Sequence, residues 1–154
     1  MKLSIWFVGA LLFGAPAAMA CPDYRLYGTE YSFSGQQAYQ AIGFPVAAGG
    51  SSRLSSCGIR FLSDTGDGYV TQAPDFTFTI NKLSGYQLEF RVESECDAVL
   101  VINTGDANWY YDDDDAGNID PQIRLTRPSE GIYDVWIGTY DGKTCSARLI
   151  VETF

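Results

Sequence analysis

The 154-residue chain has no histidine, four cysteines, and 19 acidic against 10 basic residues, a formal net charge of −9 at pH 7. Without histidine there is no Ser-His or Cys-His nucleophile and no imidazole metal ligand. So acidic a surface repels nucleic acid and anionic membranes and attracts cations.

Residues 1–20 read as a secretory signal peptide. Met1-Lys2-Leu3 is a basic start, Ile5 to Phe13 is apolar, and Ala18-Met19-Ala20 is a cleavage pattern before Cys21. The apolar run falls short of the ~20 residues that span a bilayer. Lipidation of Cys21 is the minor alternative, because Ala18 stands where a lipoprotein signal usually has Leu. Removing Lys2 with this segment leaves 9 basic and 19 acidic residues, a net −10. Residues 21–154 are expected to form a single exported domain, in the bacterial periplasm or the medium, with no transmembrane segment. That length carries a sizeable core.

Four cysteines in an exported chain read as two disulfides. Three pairings are possible. Cys21–Cys57 with Cys96–Cys145 is preferred because each bridge stays within one half of the chain. The spacings match neither a zinc site nor a C-x-x-C redox motif.

Short strands and turns follow. Arg25 to Phe33 reads as strand, Ser34-Gly35-Gln36-Gln37 as a turn, and Ala38 to Val46 as a strand whose Pro45 marks an edge. Ala47 to Ser52 is a loop, Arg53 to Phe61 a short strand pair, and Ser63 to Gly68 a turn. Phe76, Phe78 and Ile80 alternate with polar residues, as do Leu88, Phe90 and Val92, and the two segments are expected to be antiparallel neighbours. Ala98 to Ile102 is continuously apolar and reads as a central strand. Trp109-Tyr110-Tyr111 runs into Asp112-Asp113-Asp114-Asp115, then Gly117-Asn118 and Asp120-Pro121. Ile123 and Leu125 follow. Tyr133, Val135 and Ile137 share one face, and Tyr140 to Lys143 reads as a hairpin turn before the last strand, Cys145 to Val151. No segment of ten residues has helical spacing, and turns recur every ~8–12 residues, so the expected fold is an all-β, antiparallel, disulfide-bonded sandwich.

Pro74-Asp75-Phe76, Cys96-Asp97 through Asn103, Asn108-Trp109-Tyr110 with Asp112 to Asp115, and Gly131-Ile132-Tyr133 through Tyr140 resemble, in order and spacing, the bacterial pre-peptidase C-terminal domain family. The resemblance covers about residues 74–154. It implies a small sandwich of jelly-roll character, a non-catalytic appendage in most relatives, with protein, polysaccharide or calcium as ligand in some. This chain has no protease domain, so a peptidase activity does not transfer with the resemblance.

Two constellations are candidate sites. Asp112, Asp114, Asp115, Asn118 and Asp120 form a candidate calcium set, since calcium takes 6–8 oxygen ligands that a carboxylate-rich loop supplies. It is not an EF-hand, because Ala116 and Ile123 stand at ligand positions. The alternative is a solvated acidic turn. Asn103 and Asp106 are further candidate ligands, and Asp64 and Asp67 read as turn residues. Trp109, Tyr110, Trp136 and Tyr140 are the candidate ligand-binding residues. With Tyr133, Val135 and Ile137 inward, Trp136 is expected to point outward, either exposed with a binding role or covering an edge or packed under a loop. A glycosidase needs two carboxylates flanking a cleft, and Ser-Lys chemistry has only Lys82 and Lys143 to draw on, both in turns. The functional expectation is therefore a non-catalytic binding module, with calcium as a candidate stabiliser of its acidic loop, that contacts an envelope or extracellular polymer or protein. The alternative is a structural or assembly partner in the envelope without metal or glycan.

Overall fold

The alternating segments become strands of two packed sheets. The computed structural model describes residues 20–114 and 120–154. One sheet holds β1 (Thr29–Ser34), β5 (Phe76–Asn81), β10 (Gly131–Thr139), β4 (Tyr69–Val70) and β3 (Ser52–Arg53) in that order, and β10 also pairs β7 (Ala98–Asn103), which pairs β8 (Trp109–Asp112). The other runs β2 (Ile42–Ala48), β11 (Cys145–Thr153), β6 (Leu88–Ser94), β9 (Gln122–Leu125). Among the described residues, no helix is long and apolar enough to cross a membrane.

Phe78, Phe90, Leu100, Ile102, Tyr133, Val135, Leu149 and Val151 fill the space between the sheets. Ring contacts run through it: Phe44–Phe78 at 5.0 Å, Phe78–Phe90 at 6.3 Å and Phe90–Tyr133 at 5.7 Å between centroids. Each buried Phe contributes about 1.5–3 kcal/mol over the exposed state. Pro45 lies on β2, which among the described residues is an edge strand of the smaller sheet, the position where proline is tolerated.

Several expected elements differ. The alternating segments β5 and β6 are not neighbours but lie in opposite sheets and face each other through Phe78 and Phe90. Alternation decides which face a strand buries, and both faces line one core whether the strands pair or oppose. For the same reason Tyr140–Lys143 is no hairpin: it carries the chain from β10 in one sheet to β11 in the other. The first strand starts at Thr29, because the Asp23 carboxylate binds both the backbone and the guanidinium of Arg25 and curls the chain there. It then pairs β5 in parallel, from Thr29 opposite Phe76 to Ser34 opposite Asn81. Ser34–Gln37 does not turn freely but starts a one-turn helix, α1 (Gly35–Ala38). Its capping box has Gln37 N donating to Ser34 Oγ and Ser34 N donating to Gln37 Oε1. Arg53–Phe61 is not a strand pair. After the two residues of β3 the chain makes a 3-10 turn, Leu54–Ser56, that buries only Leu54.

That irregular stretch has a role in packing. Leu54 and Val70 join Val99, Val101, Tyr111 and Trp136 in a second apolar cluster on the outer face of the larger sheet. All six residues of β7 are buried, which explains its unbroken apolar run. The bridges Cys21–Cys57 and Cys96–Cys145 span Cα–Cα distances of 5.6 and 6.4 Å. The first fastens the N-terminal residues to the covering segment. The second ties the β6–β7 connection to the start of β11.

Candidate functional site

Register against β7 sorts the aromatic–acidic stretch onto two faces. Trp109 is opposite Asn103 and Tyr111 opposite Val101, on the outer face. Tyr110 is opposite Ile102 and Asp112 opposite Leu100, on the core side. The four candidate ligand-binding aromatics therefore share no surface. Trp136 lies on the outer face, as alternation requires, but it is fully buried rather than exposed. Trp109 stacks on it at 5.3 Å, and Val99, Val101, Leu54 and Val70 complete its surroundings. Trp109 remains half-buried. Tyr110 lines a groove of about 290 Å³ with Thr104, Asp106, Arg124 and Arg127. Tyr140 is exposed, in the β10–β11 connection.

The acidic turn is pinned at both ends. Asp112 is buried, and its Oδ2 accepts a 2.6 Å bond from the Gln122 backbone N–H, which ties β8 to β9. Asp120 is also buried, and its Oδ1 accepts from Ser94 N (3.1 Å) and Ser94 Oγ (2.8 Å) at the end of β6. Asp114 is exposed. Asp115 and Asn118 lie outside the described residues. Among the described residues, no three His, Cys, Asp or Glu side chains converge as a metal set. Asn103 and Asp106 sit at the far end of β7 from this turn and cannot join it. Asp106 instead accepts bonds from Thr104, Asn108 (3.0 Å) and Ser129 (3.2 Å), and the Thr104 hydroxyl first of all lowers its carboxyl below the ordinary range.

The fold adds carboxylates around the turn that sequence proximity does not reveal. Burial raises the Asp113 carboxyl, and the charges of Asp114, Asp64 and Asp97 raise it further. Burial likewise raises Asp97, helped by Asp114 and Asp141. Asp64 and Asp67 cap their own turn through Thr65 N (2.6 Å) and Gly68 N (2.9 Å). The cations in this region are already engaged: Arg53 is 3.8 Å from Asp67, and Lys143 is 2.8 Å from Asp141. This end of the sandwich is thus a concentrated negative field. Among the described residues it holds no paired nucleophile and base.

A second polar centre escaped the sequence reading. Glu89 is buried on the outer face of the smaller sheet, where Arg91 (2.9 Å), Gln122 (2.8 Å) and Arg124 (2.7 Å) bond its carboxylate. Its signal was the Glu89-Phe90-Arg91 alternation, but the partners Gln122 and Arg124 come from another strand, β9. This network fastens the sheet.

No protein-family model matches the chain, and no curated protein matches it. A solved structure of similar shape is that of Aeromonas hydrophila PliG, a periplasmic lysozyme inhibitor of g-type lysozyme. It is 13% identical with a TM-score of 0.45, and the match covers 83% of this chain and 98% of that one.

Proposed function

We propose that the chain is an exported, non-catalytic binding module whose acidic end engages a cationic protein. One observation carries the reading: the fold gathers Asp64, Asp97, Asp113, Asp114 and Asp141 at one end, where burial first and the neighbouring carboxylates second raise the Asp97 and Asp113 carboxyls, and Lys143 is already paired with Asp141. A cationic partner relieves that repulsion and is steered to it, chiefly through the association rate. The resemblance of residues 74–154 to pre-peptidase C-terminal domains belongs to the same reading.

The test is biolayer interferometry against three cationic secreted proteins and one acidic control. One of the three is a g-type lysozyme, the partner named for the Aeromonas hydrophila protein. Binding to a cationic protein is expected to weaken with added salt, and about tenfold in the triple variant Asp97→Asn, Asp113→Asn, Asp114→Asn. Equal affinity of that variant, or salt-independent binding, refutes it.

Calcium in the acidic turn is a separate proposal. Asp112 and Asp120 each already hold a backbone N–H, so Asp114, with the sequence candidates Asp115 and Asn118, is the set the test addresses. A rise in melting temperature with calcium that EDTA reverses, and that Asp114→Asn removes, supports it. No shift and no heat of binding sinks it.

A further inference from the structure

On the outer face of the larger sheet, away from the acidic end, Trp109, Tyr24, Asp23, Arg25 and Gln72 border, with Ala20 to Pro22, an open trough of about 640 Å³. Its aromatic part is built rather than incidental. Trp136 supports the Trp109 indole from beneath, with rings 30° from parallel. Tyr24 meets Trp109 at 6.2 Å and 71°, and Phe61 meets it at 6.4 Å and 87°. Tyr24 is 52% exposed in the folded chain. The Gln72 carbonyl accepts from Asp23 N (2.9 Å) and from Trp136 Nε1 (3.3 Å), so one group fastens both walls. The Cys21–Cys57 bridge anchors the segment from behind. Such preorganisation lowers the ordering cost of binding.

The polar rim differs in character from the acidic end. Arg25 donates to both oxygens of Asp23, at 2.8 Å each. That contact lowers the Asp23 carboxyl to about 2, so it is ionised throughout the physiological range. The pair is neutral overall, in a protein whose net charge is strongly negative. The Asp23–Arg25 pair therefore presents an acceptor and a donor without a charge excess of its own.

We propose that this trough binds a neutral sugar residue of an extracytoplasmic glycan. The apolar C–H face of a pyranose packs on the Trp109 and Tyr24 rings, and its hydroxyls bond Asp23 and Arg25. Each hydroxyl both donates and accepts, which matches a rim that offers one of each. A few directional polar groups beside an apolar floor are what orient a small ligand. A proline-rich segment also suits aromatic grooves, but proline has no N–H to give the Asp23 carboxylate. Anionic glycans are disfavoured by the net charge. The trough is a different surface from the acidic end, so either reading survives failure of the other.

Tryptophan emission reports this site directly, because the two tryptophans beyond residue 20 are Trp109 and its support Trp136. The exported protein, with both disulfides formed, is titrated with neutral tetramers of β-1,4-linked N-acetylglucosamine, β-1,4-linked glucose and α-1,4-linked glucose, and with decaproline. A saturable emission change with at least one sugar is expected. Tyr24→Ala should weaken it about three- to tenfold, the worth of one aromatic contact, and Arg25→Ala should weaken it as well. The Asp97→Asn, Asp113→Asn, Asp114→Asn variant should bind sugar like the native chain. Because Trp109 also supports Trp136, the exposed Tyr24 and Arg25 are the deciding positions. No change with any sugar up to about 20 mM, saturation by decaproline alone, or native affinity in both variants overturns the proposal.

Discussion

Asp75 stands immediately before β5, where its Oδ2 accepts a 2.7 Å hydrogen bond from the Ile137 backbone N–H. Its own N–H donates to the Val135 carbonyl at 2.9 Å. Burial pushes its carboxyl from 3.8 up to about 6, and the Ile137 N–H opposes only part of that. The folded chain therefore prefers the neutral acid. Because the folded value lies above the unfolded one, the stability from this group is fully present below pH 3.8 and is lost as pH rises through about 6. A shift of about two units at 1.36 kcal/mol each corresponds to about 3 kcal/mol. Asp75→Asn keeps an oxygen for Ile137 and cannot ionise. It should be about 1–3 kcal/mol more stable than the native chain at pH 7.5 and nearly equal to it at pH 3.5. Burial also raises Asp134, whereas hydrogen bonds lower Asp23 and Asp141, so the informative quantity is variant minus native at each pH. Urea unfolding followed by tryptophan emission at pH 7.5, 5.5 and 3.5 measures it. A variant less stable than native at pH 7.5, or a difference that does not shrink on acidification, refutes the reasoning.

Glu89→Ala removes the carboxylate that Arg91, Gln122 and Arg124 share, and should destabilise by about 2 kcal/mol in urea unfolding; the loss stays moderate because both arginines reach solvent. Gly138→Ala places a Cβ 2.0 Å from the Tyr69 carbonyl and 2.7 Å from Val70 Cγ1, so β10 and β4 must separate. A loss of about 2–3 kcal/mol is expected in the same assay. Replacing Cys96 and Cys145 by Ala releases a loop with a sequence separation of 49, and thermal unfolding should report a loss of about 3–4 kcal/mol. Since Asp97 and Asp113 are raised, the acidic end sheds charge at a higher pH than isolated aspartates. Interferometry across pH 7 to 4 should show a cationic partner released earlier from the native chain than salt screening alone explains.

The acidic stretch shows how far local reading reaches. That a run of carboxylates follows an aromatic strand is legible in the sequence. That Asp112 holds Gln122 and Asp120 holds Ser94 is not, because both partners arrive from other strands. Trp136 is the sharper case. Alternation along β10 placed it correctly on the outer face, yet exposure did not follow from facing outward. The cover comes from Leu54 and Val70, in a segment with no periodicity to announce it. The trough was hidden for the same reason, since Tyr24 and Gln72 meet Trp109 only after the covering segment is in place.

By itself the sequence determined the all-β class, the buried face of the main strands, and the absence of imidazole chemistry. These depend on residue type and on a two-residue repeat, both of which are local. Only the tertiary structure decided that β5 and β6 oppose each other, that β1 pairs β5 in parallel, and that aspartates from separate connections gather at one end. Those choices are set by long-range chain path and by the area buried when two sheets close, quantities that no short window of residues contains.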